Sequence, residues 1–205
     1  MIRIVRGIAP ATADPALNHG HLSTYTAAMR EDIRQILIDR QTIQRRVEVL
    51  AAQLAADYPV TEIVLMPLLT GSIIFLADLV RHLPIRMKID VLAVSSYRGT
   101  AHQGTRVLYP TRFDVAGKHV LVIDDILDSG RTLKTVTDLL RTQDAASVKS
   151  CVLLKKKLSQ APAAEADYVG FEIPDEFVVG YGLDFDGYYR NLPDIAVLHE
   201  RLMRS

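Results

Sequence analysis

The sequence predicts an α/β domain with a central parallel sheet that helices cover on both faces. Short apolar segments alternate along the chain with segments that carry apolar side chains at helical spacing. Such alternation is typical of βαβ units, whose parallel strands are buried and therefore mostly apolar. The chain has 205 residues, of which 49% are hydrophobic and 23% charged, which is enough for one domain with a sizeable core.

Residues 1–30 show little periodicity and are predicted to form an N-terminal extension with one short helix at 23–30. The first clear helix begins after Asp39, a residue type that caps helix N-termini, and ends before Pro59. Apolar residues recur through this segment at helical spacing, at Ile43, Val47, Leu50 and Leu54. These four positions predict the helix face that packs on the sheet.

The remaining elements follow in order. Apolar runs predict strands at 63–68, 87–94, 120–123 and 148–154, and periodicity predicts helices at 72–83 and 132–140. Pro67 lacks a backbone donor, which predicts that the first of these strands frays at its end. Residues 95–105 are polar, contain two glycines and are predicted to form a mobile loop or an open hairpin. Residues 167–192 are rich in Gly, Pro, Asp and aromatic residues, and are predicted to be irregular with short strands, such as one at 177–179.

Composition favours small-molecule chemistry in a cytoplasmic protein, without a nucleic-acid or membrane partner. Lys and Arg together number 24, as do Asp and Glu, whereas nucleic-acid binders usually carry a basic excess. The local basic cluster at 155–157 is too small to change that expectation. No apolar run is long enough to span a bilayer, and the first residues lack the apolar core of a signal peptide. The single cysteine, Cys151, excludes an internal disulfide and is predicted to be a buried strand residue.

The most informative segment is residues 120–132. Four apolar residues predict a buried strand, after which Asp124 and Asp125 emerge and a turn of small residues leads into a helix. The turn consists of Asp128, Ser129, Gly130, Arg131 and Thr132. Ligands of parallel sheets bind beyond the carboxyl ends of the strands, and the N–H groups of a helix N-terminus favour phosphate there. The two carboxylates would accept hydrogen bonds from a sugar or contact a Mg²⁺-bound sugar. The alternative is a capped turn with solvated aspartates.

This segment resembles the signature with which type I phosphoribosyltransferases bind phosphoribosyl pyrophosphate (PRPP). The resemblance implies the type I phosphoribosyltransferase fold for residues 31–205, with a small hood subdomain formed mainly by 156–205 and the N-terminal part of the domain. It also implies that the turn at 128–132 holds the 5′-phosphate and that Asp124 and Asp125 face the ribose hydroxyls. By the same resemblance, Asp128 lies near N7 of the base and is the catalytic residue.

Residues 167–184 are similar to the base-binding hood of hypoxanthine-guanine phosphoribosyltransferases, and the similarity extends from about residue 31 to residue 198. The residues that it assigns to the purine base are Lys156, Phe177, Val178 and Asp184. Phe177 would stack on the ring and the ammonium of Lys156 would donate to the 6-oxo group. Asp184 resembles a second Mg²⁺ position, in addition to Asp124 and Asp125. The residues without a matched role, Lys155, Lys157, Asp175 and Glu176, are predicted to be exposed charges.

The resemblance also assigns residues to the pyrophosphate, namely Leu69, Thr70, Gly71, Ser96, Tyr97 and Arg190. Residues 69–71 open a predicted helix, and the family has a cis peptide bond there, which corresponds to Leu69–Thr70 in this chain. Ser96 and Tyr97 would stand at the base of a mobile loop that closes over the site. The sequence departs from the family at Thr70, where lysine is common, and at Asp124, where glutamate is common.

The resemblance therefore predicts an enzyme of purine salvage. It would transfer the 5-phosphoribosyl group of PRPP to N9 of hypoxanthine or guanine and give IMP or GMP and pyrophosphate, with Mg²⁺ as cofactor and a homodimer or homotetramer as assembly. A second hypothesis is a regulator that binds PRPP or nucleotide without catalysis, which Asp128, the hood and the neutral charge disfavour. An orotate- or adenine-type transferase is disfavoured by the hood. Preference among hypoxanthine, guanine and xanthine depends on backbone geometry near Val178 and Asp184.

Overall fold

The computed structural model describes residues 27–59, 62–96, 105–107 and 114–203. Helices in this part of the chain are α1 (Ala27–Asp32), α2 (Arg40–Asp57), α3 (Ile73–Arg81), α4 (Arg131–Arg141) and α5 (Glu200–Met203). Strands are β1 (Ile33–Ile38), β2 (Ile63–Leu69), β3 (Met87–Ile89), β4 (Leu92–Ser96), β5 (Thr105–Val107), β6 (His119–Leu127), β7 (Ser147–Lys156), β8 (Tyr168–Ile173), β9 (Val178–Val179) and β10 (Ile195–Leu198). Most of the predicted extension and of the predicted mobile loop lies outside the described residues.

A seven-stranded sheet forms the centre of the molecule, as the alternating pattern predicts. Its strand order is β5-β4-β2-β6-β7-β8, with β3 paired to β2 beside β4. All of its strand pairs are parallel except β4–β5 at one edge. Side chains that alternate along β2 pack on opposite faces, Ile63 and Leu65 against α2 and α3, and Val64 and Met66 with α4. Helices therefore cover both faces, which confirms the predicted fold class.

Helix α2 begins and ends where the sequence predicts. The carboxylate of Asp39 accepts hydrogen bonds from the backbone N–H groups of Gln41 and Thr42, both at 3.0 Å, and so caps the first turn. Tyr58 is the C-cap, one residue before Pro59. The residues predicted to face the sheet are fully buried: Ile43, Val47, Leu50 and Leu54.

In the part of the chain that the structure describes, none of the helices has the length and apolar composition of a membrane span.

A smaller antiparallel sheet stands beside the central one and contains β1, β10 and β9 in that order. Its own core includes Ile33, Val179, Leu192 and Leu198. β1 comes from the N-terminal part of the domain, whereas β9 and β10 come from its end. The sequence did not predict β1 or β10, and the boundaries of the hood stay a prediction.

Strand β6 is longer than predicted, and this changes the setting of the acidic pair. Pairing with β7 continues past Ile123, with Asp124 opposite Val152 and Leu127 opposite Lys155. The two aspartates therefore lie inside the strand rather than after it, because β7 extends far enough to provide backbone partners for them.

Strand β2 also continues further than predicted. Pairing with β6 ends at Pro67, but Leu68 and Leu69 pair with Leu92 and Ala93 of β4. The prediction that this strand frays at the proline is therefore wrong, since the neighbour on the other side holds its last residues.

One further prediction is corrected, and another is made more specific. The strand predicted at 87–94 is divided by Asp90, which is buried and donates its backbone N–H to the carbonyl of Leu65 at 3.0 Å. Part of the region predicted to be irregular is β8, a strand of the central sheet. Gly170 in β8 packs so closely on Leu153 that a Cβ atom would overlap the Leu153 carbonyl oxygen. Glycine often interrupts a strand, but Gly170 here lets two neighbouring strands approach closely.

Candidate active site

The predicted site residues gather at the carboxyl ends of β2, β6 and β7, which are neighbours in the parallel sheet. Leu69 ends β2, Asp124 and Asp125 lie near the end of β6, and Lys156 ends β7. The carboxyl edge of a parallel sheet is the usual location of ligand sites in this fold class. Residues far apart in the sequence are therefore presented at one edge of the molecule.

Asp124 and Asp125 form a close pair of half-buried carboxylates. Burial raises the pKa of Asp124 well above its usual value, and the charge of Asp125 raises it further. Burial also raises the pKa of Asp125, although hydrogen bonds from Asp124 and from the backbone of Ile126 oppose this rise. Burial raises the pKa of both carboxylates, and the pair therefore favours a positive charge close to it.

The loop at 69–71 lies directly against this pair. The peptide bond between Leu69 and Thr70 is cis, as the resemblance implies. A Cβ atom at Gly71 would overlap Oδ2 of Asp125, so this position accepts only glycine in the observed geometry. The buried hydroxyl of Ser72 donates to the carbonyl of Leu68 at 2.7 Å, which ties the start of α3 to the end of β2.

The segment at 180–190 packs on the same loop from the hood side. A Cβ atom at Gly182 would overlap the carbonyl oxygen of Gly71, and Gly182 has a φ of +103°, which favours glycine on its own account. Arg190 donates to the carbonyl of Gly182 at 2.6 Å and pairs with Asp184 at 2.7 Å. Asp184 and Arg190, predicted as separate ligand contacts, thus meet each other across this segment. Tyr181 adds a hydrogen bond of 2.6 Å to Asp78 of α3.

The turn predicted to bind phosphate leads from β6 into α4. Gly130 is the N-cap with a φ of +73°, and no side chain caps the helix there. A Cβ atom at Gly130 would lie 2.8 Å from the backbone of Ala164, and the backbone N–H of Ala163 donates to the carbonyl of Ser129 at 2.8 Å. Asp128 and Ser129 are exposed. Because the N-cap residue is a glycine, it contributes no capping side chain to the N-terminus of α4, and the turn beside it is exposed at Asp128 and Ser129, which suits an anion.

Lys156 occupies the side of the site that faces the hood. Its side chain is only 13% exposed, and its ammonium lies 3.0 Å from Asp175 and 3.6 Å from Asp128. Phe177 is half-buried, and its ring meets that of Phe185 edge to face, with 5.7 Å between centroids. Adjacent to Phe177, Val178 is buried and belongs to β9.

All four of the charges predicted to be exposed have an ion-pair partner, and Asp175 is nevertheless exposed, as predicted. Asp175 pairs with Lys156, and Glu176 pairs with Arg34 of β1 at 2.8 Å. Lys155 pairs with Glu165 at 2.6 Å and its side chain is only 24% exposed, so the prediction that it is exposed is wrong. Lys157 is exposed, as predicted.

The predicted metal ligands do not form one cluster. Among residues 27–59, 62–96, 105–107 and 114–203, no three His, Cys, Asp or Glu side chains are grouped so as to hold a metal ion. Asp124 and Asp125 are adjacent, whereas Asp184 is engaged with Arg190. Tyr97 and the side chain of Ser96, predicted pyrophosphate contacts, lie outside what the structure describes.

Two site neighbours were not predicted at all. Arg34 and Phe185 contact the segment around the predicted stacking ring, the first through Glu176 and the second through Phe177 itself. The sequence offers no periodic or spacing signal for either, because each pairs with a residue that only the fold brings near.

Comparisons with known proteins identify the family that this chain resembles. The family model described as phosphoribosyl transferase domain matches residues 35–186. The chain is 43% identical over 176 residues to the hypoxanthine-guanine phosphoribosyltransferase of Streptococcus pneumoniae, covering 85% of this chain and 98% of the relative. It is 40% identical over 179 residues to the enzyme of that name from Bacillus subtilis, covering 86% and 99%.

Solved structures give the same result. A hypoxanthine phosphoribosyltransferase from Staphylococcus aureus superposes with a TM-score of 0.82 at 37% identity, covering 87% of this chain and 98% of that one. The hypoxanthine phosphoribosyltransferase of Trypanosoma cruzi in complex with the product IMP superposes with a TM-score of 0.78 at 37% identity, covering 84% and 97%.

Proposed function

The chain belongs to the phosphoribosyl transferase family, and from this premise we propose that it transfers the 5-phosphoribosyl group of PRPP to N9 of hypoxanthine or guanine. The observation that carries the choice of base is the distance of 3.6 Å between the Lys156 ammonium and the Asp128 carboxylate. O6 and N7 are neighbours on one edge of a 6-oxopurine, so one donor and one acceptor at this separation match that edge. Adenine would instead present an amino donor to the ammonium.

The ribose phosphate is expected to lie on the turn at 128–132. The N-terminus of α4, with its N–H groups and the hydroxyls of Ser129 and Thr132, suits the 5′-phosphate. Asp124 and Asp125 stand beside this turn and would accept hydrogen bonds from the ribose hydroxyls. This arrangement would fix the sugar between the turn and the base.

The pyrophosphate is expected between the loop at 69–71 and the segment at 180–190. Gly71 and Gly182 pack so closely that backbone, rather than side chains, forms the wall there. Arg190, already held by Gly182 and Asp184, would contact the departing phosphates. Ser96 and Tyr97 are proposed to complete this side.

Mg²⁺ belongs to the same proposal. The residues fit it, because Asp124 and Asp125 offer hard oxygen ligands, and burial, which raises the pKa of both, makes a cation beside them favourable. Mg²⁺ is commonly held by one or two carboxylates together with substrate phosphates, so no three-residue protein cluster is needed. Asp184 would serve a second ion. The metal, when bound, would supply positive charge that stabilises the leaving pyrophosphate.

The chemistry assigned to the chain itself is proton transfer and orientation. Asp128 would accept the N7 proton as N9 attacks the anomeric carbon and pyrophosphate leaves. Lys156 would donate to O6, and Phe177 would stack on the purine and hold it in plane. A cytoplasmic location, a homodimer or homotetramer, and the division into an extension (1–30) and a transferase domain (31–205) remain predictions of this proposal.

One experiment tests the proposed activity. The protein is incubated with PRPP, Mg²⁺ and one base, in separate reactions for hypoxanthine, guanine, xanthine and adenine. Pyrophosphate release is measured in each reaction. We expect release with hypoxanthine or guanine and none with adenine. Absence of release with every base would overturn the proposal, and release with adenine alone would overturn the roles of Lys156 and Asp128.

A further inference from the structure

We propose that Asp175 is a positioning residue, which holds the Lys156 ammonium away from Asp128 and thereby sets the affinity for the 6-oxo group of the purine. The inference rests on the proposed function of the same site. It assigns a role to a carboxylate that the sequence had suggested was merely solvated.

The backbone geometry places Asp175 close to Lys156. Ile173 is opposite Lys156 in the parallel pair of β8 and β7, and the backbone N–H of Lys157 donates to its carbonyl at 2.8 Å. The chain then turns sharply, since the N–H of Glu176 donates to the carbonyl of Pro174 at 2.8 Å, as in a three-residue turn. The residue at the centre of this turn is Asp175, and its carboxylate comes within 3.0 Å of the ammonium.

Two carboxylates therefore share one ammonium, at different distances. A lysine ammonium has three protons to donate, and Asp175 at 3.0 Å takes one of them in a hydrogen bond. Asp128 at 3.6 Å is attracted to the charge but is not hydrogen-bonded to it. The remaining protons of Lys156 stay available to a ligand, and the carboxylate of Asp128 stays available to a second ligand atom.

Removal of Asp175 would upset this balance. The four-carbon stem of lysine is flexible. Without Asp175, the Lys156 ammonium could therefore move to Asp128, the second carboxylate with which it pairs. A direct hydrogen bond between Lys156 and Asp128 would occupy both groups that face the purine edge. A base would have to break that bond before it could bind, and its apparent affinity would fall.

The segment that carries Asp175 is fixed from its other side as well. Glu176 pairs with Arg34 at 2.8 Å, and the next residue is the stacking ring, Phe177, packed edge to face on Phe185. Asp175 thus connects the ring to the ammonium within one short segment. Its own side chain is 61% exposed, so it makes little contribution to packing and its loss is not expected to unfold the protein.

The test compares Asp175→Ala, Asp175→Asn and a matched control, Glu172→Ala. Glu172 is paired with Lys157 at 3.7 Å and is 56% exposed, so its removal takes away a similar charge from the neighbouring lysine. For Asp175→Ala we expect the KM for hypoxanthine or guanine to rise about fivefold, with the KM for PRPP within about twofold of wild type. Asp175→Asn keeps an acceptor for the ammonium and is expected to recover part of the loss.

Each outcome decides the inference. Three results would overturn the role of Asp175 while leaving the proposed function in place. They are an unchanged KM for the base in Asp175→Ala, an equal rise of that KM in Glu172→Ala, and an equal rise in the KM for PRPP in Asp175→Ala. No turnover by the wild-type protein with any 6-oxopurine would overturn the proposed function and this inference with it. Thermal melting of all three variants is measured alongside, and a Tm close to wild type is expected for each.

Discussion

At the ends of β2 and β6 the site consists of backbone packed against backbone, whereas around Lys156 it consists of side chains paired by charge. The half proposed to bind phosphate (the phosphate half, residues 69–71 and 124–132) depends on glycines at close contacts, such as Gly130 against the backbone of Ala164. The half proposed to bind the purine (the base half, Lys156 with residues 175–178) contains ion pairs that involve Asp175, Asp128 and Arg34. Rigid backbone contacts suit phosphate, which is the same in every substrate. Side-chain ion pairs suit a surface that must distinguish similar bases.

The largest effect is expected at Asp128, which both halves share. Asp128→Asn keeps the shape of the side chain but removes the proton acceptor, and kcat should fall about 10²- to 10⁴-fold with hypoxanthine. Asp128 is 56% exposed, so the Tm should stay near that of wild type. Steady-state kinetics with hypoxanthine and PRPP, together with thermal melting, measure both. Near-normal turnover would exclude a proton-transfer role for Asp128.

A smaller but still severe effect is expected in the phosphate half. Gly71→Ala places a methyl group on Oδ2 of Asp125, so either the loop or the carboxylate must shift, and a shift of about 1 Å is enough to cost about 100-fold in kcat/KM. The KM for PRPP should rise more than the KM for the base, which steady-state kinetics measure. Gly117→Ala is the control, because a Cβ atom there meets nothing within 4 Å. That variant should lose about 1 kcal/mol of stability from its positive φ and keep its activity. Equal losses of activity in both variants would contradict the contact argument.

The smallest effect is expected at the outer ion pair of the base half. Arg34 and Glu176 are 37% and 39% exposed, so a double-mutant cycle with alanine should give a coupling of about 0.2–1 kcal/mol in the free energy of unfolding. Because the pair anchors the segment next to Phe177, each single variant should raise the KM for the base by about twofold and leave that for PRPP unchanged. A change confined to the KM for PRPP would show that the two halves are not separable in this way.

The phosphate half could be predicted from the sequence, and the reason is local. Asp124, Asp125 and the turn at 128–132 follow one another within a few residues, so an apolar run and its polar end indicate strand, turn and helix together. The cis peptide at Leu69–Thr70 followed from resemblance alone, and the structure has it.

The base half and the hood were less predictable because their contacts join distant segments. β1 pairs with β10 across the whole domain, and Arg34 meets Glu176 only because of that pairing. No local pattern marks either residue as paired, so Glu176 looked like a solvated charge. The length of β6 was missed for a related reason, since charged residues at 124 and 125 hide a strand whose continuation depends on β7.

The contact between Gly71 and Gly182 has a consequence for redesign. The carbonyl oxygen of Gly71 stands where a side chain at position 182 would begin, so position 182 cannot be enlarged, and a side chain at position 71 would meet the carboxylate of Asp125. This contact sets the spacing between the loop that follows β2 and the segment that carries Asp184. A variant intended to accept a larger or differently substituted base should therefore leave both glycines unchanged. Diversity is better introduced at positions 175 to 177, where side chains rather than backbone set the fit.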